Sequence, residues 1–136
     1  MLIGEVAERA GVTVKAVRYY ESLGLVTAPR EGNGYRTYDE HHLRRIREIR
    51  TLGELGISAD RTRPFLDCLD TGAAAGDDCP ASLDAYREAI ADMTHRLDQL
   101  GARRDALVER LARATVRVGT PAPPARCAFT ATEESR

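Results

Sequence analysis

Apolar residues recur along the first 70 positions at helical spacing, and each run is closed by a glycine or opened by a capping side chain. Ile3, Val6, Ala7 and Ala10 fall at i, i+3, i+4 and i+7 of a helix over 2–10 that stops at Gly11. Thr13 offers a side-chain oxygen to a second helix over 14–23. A turn of 3.6 residues puts Val14, Val17 and Tyr20 on one face of that helix and Lys15, Arg18, Tyr19 and Ser22 on the other. Two short helices joined by so short a Gly-containing link predict a helix-turn-helix. The pattern then turns β-prone: 25–27 and 35–38 flank Gly32-Asn33-Gly34, which predicts a hairpin wing with Pro29 at its edge. Asp39 caps a third helix over 40–55 with Leu43, Ile46, Ile49 and Leu52 inward and Arg44, Arg47 and Arg50 on its other face. Ser58 opens a fourth through Leu69, with Phe65, Leu66 and Leu69 inward. Pro64 inside that pattern should kink the helix or shift its start.

After a small-residue linker at 71–79 the period changes. From Leu83 the inward positions step by three and four in alternation: Leu83, Tyr86, Ile90, Met93, Leu97, Leu100, Arg104, Leu107, Leu111, Ala114 and Val118. The mean period of 3.5 is that of a left-handed coiled coil. Pro80 suits the first helical position, behind Asp77, Asp78 or Cys79 as cap. A helix over 80–118 would run about 58 Å at 1.5 Å per residue. A seam so narrow and long calls for a second copy of itself, so Leu83, Tyr86, Ile90, Met93, Leu97, Leu100, Leu107 and Leu111 are expected to hold a homodimer, with Arg104 fixing register. The expected fold is all-α with a small β-hairpin wing. It divides into a winged helix-turn-helix head (1–70), a linker (71–79), a dimerisation helix (80–118) and a Pro-containing flexible tail (119–136).

Charge qualifies this picture. The net charge is −1, so the chain as a whole carries no electrostatic footprint for nucleic acid; the cations are local, as in 41–50, where four arginines meet the single acid Glu48. Neither paired carboxylates, a nucleophile with its base, nor a phosphate loop is present, which argues against an enzyme. The sequence holds no apolar run near 18 residues and no leader pattern behind Met1, so a cytoplasmic protein without a membrane partner is expected. Three cysteines, Cys68, Cys79 and Cys127, are an odd number for a reducing compartment, and no disulfide is expected.

The strings IGEVAERAGVTVKAVRYYESLGL and GYRTYDEHHLRRIREIRTLGELGIS, in this order of elements, closely resemble the MerR family of bacterial transcription regulators over about 2–114. The resemblance implies a dimer on an inverted repeat in double-stranded promoter DNA, with recognition helices in successive major grooves and wings on the flanking backbone. It further implies that the dimer bends and untwists an overlong promoter spacer so that RNA polymerase engages both its elements. Carried over residue by residue, Thr13, Lys15, Arg18 and Tyr19 would contact DNA from the second helix and Tyr35 and Arg36 from the wing. Tyr20 belongs to the same motif, but its helical phase gives it a packing role. For Arg44, Arg45, Arg47 and Arg50, solvation and phosphate contact are equally compatible with the pattern. One departure is Arg61, which stands where the family carries a capping acid.

In the metal-sensing branches of this family thiolates sit at the start of the dimer helix and in a loop after its end, positions near Cys79 and Cys127. The further ligands of those branches are missing, and Ala114-Thr115 occupies one such position, so the favoured reading has no cofactor: Cys79 starts a helix, Cys127 is an unstructured thiol and Cys68 packs as a small apolar residue. A thiol-responsive regulator acting through Cys68 or Cys79 is an alternative, as is a coiled-coil interaction module that no longer binds DNA. His41, His42 and His95 read as solvated.

Overall fold

A computed structural model describes residues 1–119 as five α-helices: α1 (Ile3–Ala10), α2 (Val14–Ser22), α3 (Glu40–Glu54), α4 (Arg63–Asp70) and α5 (Pro80–Gly119), with a single 3-10 turn at Ala59–Arg61 before α4. Two compact units divide the chain at Met1–Ala91 and Asp92–Arg136, so the first turns of α5 belong to the unit that holds the other helices.

Local chemistry sets each boundary. Gly11 ends α1 in the left-handed region at φ 73°, its N–H bonded to the carbonyls of Ala7 and Glu8. A Cβ there would meet only the movable Arg50 guanidinium, at 2.9 Å, so it is the positive φ that favours glycine. Thr13 caps α2 by accepting the Ala16 N–H at 3.0 Å. Asp39 caps α3 by accepting from the His42 N–H, while His42 Nδ1 accepts from the Asp39 N–H, each at 3.0 Å, a reciprocal box. With Nδ1 accepting, the ring proton sits on Nε2 and is donated to the Thr27 carbonyl at 3.1 Å. His42 is thus a structural residue, which corrects the expectation that it is solvated, whereas His41 stays exposed as expected while pairing with Asp70 at 3.0 Å. Pro64 shifts the start of the fourth helix: it occupies the first turn of α4, where its missing donor costs nothing, and Ser58 opens the 3-10 turn instead, without a side-chain cap.

The core joins Val6, Ala7 and Ala10 of α1, Val17 of α2, Leu43, Ile46 and Ile49 of α3, and Leu66 and Leu69 of α4 to Leu25, Val26, Ala28 and Tyr38 of the connecting loop. A second cluster puts Leu52, Ile57 and Phe65 against Ala89, with the Phe65 and Tyr86 rings 4.9 Å apart. Each large side chain so buried contributes roughly 1.5–3 kcal/mol. This second cluster seats the start of α5 on α3 and α4.

The wing departs from expectation. No strand forms among the described residues; 25–38 is a loop closed by one antiparallel bridge, Arg30 to Arg36. Glu31 N–H donates to Tyr35 O at 2.8 Å and Thr37 N–H to Pro29 O at 3.1 Å, which gives the outline of a hairpin without a ladder. The reason lies in the neighbouring residues Leu25 and Val26, both buried: consecutive burial breaks the two-residue alternation that a half-exposed strand needs. Pro29 removes a further donor.

The second departure is covalent. Cys68, in the last turns of α4, and Cys79, the residue before α5, form a disulfide with Cα atoms 5.8 Å apart. The parity argument from three cysteines failed because it used compartment and count, whereas the α4–α5 connection brings these two together. Cys127 and the tail expected at 119–136 lie outside the described residues, Gly119 excepted.

Candidate nucleic-acid interface

The outward face of α2 is built by the phase of the helix. Val17 is buried and the Tyr20 ring packs on the core, which leaves Lys15, Arg18 and Tyr19 exposed, Tyr19 by 52%. Burial raises the Tyr20 hydroxyl pKa above its usual value. Neither Lys15 nor Arg18 has a hydrogen bond or ion pair among the described residues, so both cations are unspent. Thr13 uses its oxygen as an acceptor in the cap, and its O–H stays available as a donor.

The loop after α2 is pinned beside this face by Glu21. The Tyr38 hydroxyl donates to Glu21 Oε2, and Arg36 Nε lies 3.7 Å from Glu21 Oε1. Arg36 also donates to the Ala28 carbonyl at 3.1 Å. Burial, then the Glu21 carboxylate, pushes the Tyr38 phenol far above its ordinary range, so it remains a donor at every physiological pH. With Tyr38 turned inward, Tyr35 three residues earlier points outward and is 66% exposed. Arg30 donates to Gly34 O at 2.7 Å, and the Asn33 carboxamide accepts the Tyr35 N–H at 3.0 Å, closing the loop tip. Arg18, Arg30, Tyr35 and Arg36 line one cleft of 780 Å³ with Glu5 and the first residues of α1. An exposed cationic helix face beside an ordered loop that bears an exposed phenol is a surface for the phosphate backbone and the base edges of a duplex.

Residues 1–67 match the family model described as MerR HTH family regulatory protein. The transcriptional regulator CueR of Salmonella typhi is 33% identical over 112 residues, covering 79% of this chain and 77% of that protein. The chain belongs to the MerR family. It is a DNA-binding transcription regulator and not an enzyme. HmrR of Sinorhizobium medicae is 34% identical over 110 residues, with 75% of each chain covered. Among solved structures, the regulator PbrR691 of Ralstonia metallidurans CH34, in complex with lead(II), superposes with a TM-score of 0.63 at 34% identity over 80% of this chain and 83% of its own. HiNmlR, a MerR family regulator lacking the sensor domain and bound to promoter DNA, shares the fold with a TM-score of 0.52 at 20% identity, over 90% of this chain and 96% of its own.

Other site residues named from sequence fall into two groups. Leu83, Ile90, Leu97, Leu100, Leu107 and Leu111 of this MerR-family chain are between 42% and 69% exposed. Met93 is half-buried, and Tyr86 spends its ring on Phe65 and donates its hydroxyl to Asp77 at 2.9 Å. Burial, then the hydrogen bond to Asp77, pushes that phenol up to about 12. Of the arginines on α3, Arg44 donates to Ala73 and Ala74 carbonyls, Arg45 to Leu25 O, and Arg47 to Arg9 O, while Arg50 pairs with Glu54. As a metal ligand Cys79 does not fit this structure, because a disulfide sulfur is not the thiolate a soft metal needs. No group of three or more His, Cys, Asp or Glu side chains able to hold a metal occurs among the described residues, nor does any helix long and apolar enough to cross a membrane. Sequence reasoning missed Glu21 as the anchor of the loop. Its signal was there, an acid closing VRYYE opposite the Arg36 and Tyr38 of GYRTY.

Proposed function

We propose that the protein works as a homodimer on an inverted repeat within a promoter, where it bends and untwists the spacer to control engagement by RNA polymerase. The observation that carries this is the seam along α5 that steps by three and four, in which Leu83, Ile90, Leu97, Leu100, Leu107 and Leu111 are exposed, in a chain whose α2 face is charged and unspent. Leucines at such spacing, left in water, are the seam of a helix pair, and a two-fold dimer presents two copies of α2 to two half-sites. Lys15 and Arg18 meet phosphates or guanine edges, Thr13 and Tyr19 donate hydroxyls to phosphates, and Tyr35 reaches the flanking backbone. Arg36, neutralised by Glu21 and tied to Ala28, acts mainly by setting the loop. Bending a site of 20–30 base pairs costs of order 1–6 kcal/mol, which a few such contacts per protomer supply.

The test is electrophoretic retardation of the duplex upstream of the protein's own gene, across a salt series. Arg18→Ala removes one cation contact per protomer and should weaken retardation, with the slope of log K against log salt lowered by about two where the contact is to phosphate and kept where it is to a guanine edge. Leu97→Asp with Leu100→Asp should convert the dimer to monomer in light scattering and abolish retardation. Undiminished binding by the monomeric variant, or by Arg18→Ala, would sink the proposal.

A further inference from the structure

The Cys68–Cys79 bond crosses the one connection through which the DNA-binding helices continue into α5. Its sequence separation is 11, and it closes the loop that follows α4. Cys68 is buried and Cys79 only partly so. An external thiolate therefore reaches the Cys79 sulfur and expels Cys68. The protein also accommodates the product: the Cys68 sulfur lies 3.7 Å from the Ala75 carbonyl, an acceptor for the thiol proton once it is reduced.

The loop has its own noncovalent seat, so the bond can open without unfolding what surrounds it. Ser82 donates to the Gly76 carbonyl at 2.5 Å, Ala75 N–H to Asp78 Oδ2 at 3.0 Å, and Arg44 to the Ala73 carbonyl at 3.2 Å. Cys79 O accepts from the Ser82 and Leu83 N–H groups, which makes Cys79 the N-cap of α5. The disulfide thus ties the cap of α5 to the last turn of α4, and cleaving it leaves these hydrogen bonds and the packing of Tyr86 and Ala89 on Phe65 to hold the start of α5.

We propose that Cys68 and Cys79 are a reversible thiol–disulfide exchange site, through which a low-molecular-weight thiol/disulfide couple sets the grip of the dimer on its operator. The regulatory half of this rests on the dimer-on-operator reading above. In the first step a small thiolate attacks Cys79 Sγ; a mixed disulfide forms, the Cys68–Cys79 bond breaks, and Cys68 leaves as thiolate and takes up a proton. A second small thiol attacks the mixed disulfide, frees Cys79 as the thiol and departs as the symmetrical small disulfide. The protein gains two electrons and two protons, all supplied by the two small thiols, and the reverse reaction uses the small disulfide as oxidant.

The experiment uses the full chain as Cys127→Ser, equilibrated in reduced and oxidised glutathione at a series of ratios. Alkylation with a mass-tagged maleimide counts free thiols, and retardation of the upstream duplex is measured at each ratio. The expected result is a transition from zero to two tags without a stable singly tagged species, with operator affinity changing at least about fivefold over the same ratios, the low end of ordinary coupling between sites. Cys68→Ser with Cys79→Ser should hold the affinity of the reduced protein at every ratio. A count fixed at zero, or a titration that leaves affinity unchanged, overturns the proposal, as does a double variant that still responds. Intact exchange with no retardation in either state overturns the regulatory half and the operator reading with it. Retardation without exchange overturns the site alone.

Discussion

Arg45 is the side chain whose removal the structure prices most clearly. It is buried on α3, and its Nε donates to Leu25 O at 2.8 Å while one terminal nitrogen meets both carboxylate oxygens of Asp70 at 2.7 and 2.9 Å. Arg45→Met keeps the stem's packing and removes the cation. The Leu25 carbonyl, in a residue 2% exposed, loses a charge-assisted partner that water cannot easily replace, at roughly 1–3 kcal/mol. The Asp70 carboxylate is 45% exposed, so its share is that of a surface pair, at most about 1 kcal/mol. Part of the sum is recovered because no guanidinium need be desolvated. The expected loss is about 2 kcal/mol, which for a unit of this size lowers the melting midpoint by roughly 10 °C.

Urea denaturation followed by far-ultraviolet circular dichroism measures it, at one protein concentration so that any self-association enters every variant equally. Asp70→Asn is the comparison: it keeps the Leu25 bond while removing the charge opposite the buried guanidinium and the His41 pair. In salt-series retardation Arg45→Met should keep the wild-type slope, whereas a phosphate contact would reduce it. An Arg45→Met variant within about 0.5 kcal/mol of wild type refutes the assignment of the energy to the Leu25 carbonyl.

Three smaller predictions use the same measurement. Asp39→Ala removes the N-cap of α3 and should cost about 1 kcal/mol near neutral pH. The His42 N–H holds the Asp39 carboxyl below its usual value, so the folded state binds that proton more weakly than the unfolded chain; the advantage of wild type is complete above the ordinary aspartate range and vanishes as pH falls through the lowered value. Gly76→Ala places a Cβ 2.7 Å from Glu48 Oε2 and 3.1 Å from the Phe65 carbonyl, and since a backbone oxygen cannot step aside the loss should be about 1–3 kcal/mol; equal stability would show that the loop seat is looser than drawn. Burial, then Asp77, raises the Glu48 carboxyl, so its ionisation opposes folding: Glu48→Gln should melt higher than wild type at pH 7, with the gain disappearing on acidification.

The helices were legible because their signals are local. Gly11, Thr13, Asp39 and Pro80 mark boundaries through their own backbone and capping chemistry, which needs no knowledge of the rest of the fold. The wing was not legible in the same way. Leu25 and Val26 carry high β propensity, yet both are drawn into the core beneath α3, and tertiary burial overrides a preference of that size. The disulfide and the role of Glu21 were hidden for a different reason: both depend on which distant segments meet. Cys68 and Cys79 are joined by a connection whose path the small residues of 71–78 leave open, and Glu21 meets Tyr38 seventeen residues further on.

A near-neutral chain that binds DNA is less paradoxical once its arginines are followed to their partners. Arg44, Arg45, Arg47 and Arg63 each donate to a backbone carbonyl in another segment, with Arg63 reaching the Leu23 carbonyl at the end of α2. These cations complete the acceptors that helix ends and loops leave open, a structural use that an unusually Arg-rich cation set makes possible. What remains for DNA is small. The cleft beside α2 sets Arg18, Arg30 and Arg36 against Glu5 and Glu21, three charges against two, and Glu21 is engaged by Arg36 and Tyr38. A surface with so little excess charge gains little from phosphate pairing alone, so the proposed reading requires base contacts and the fit of a bent site to supply the larger share of its affinity. On the dimer-on-operator reading proposed above, discrimination between operator and bulk DNA would come from Lys15, Arg18 and Tyr19 together with half-site spacing, and a low net charge would count in favour of specificity.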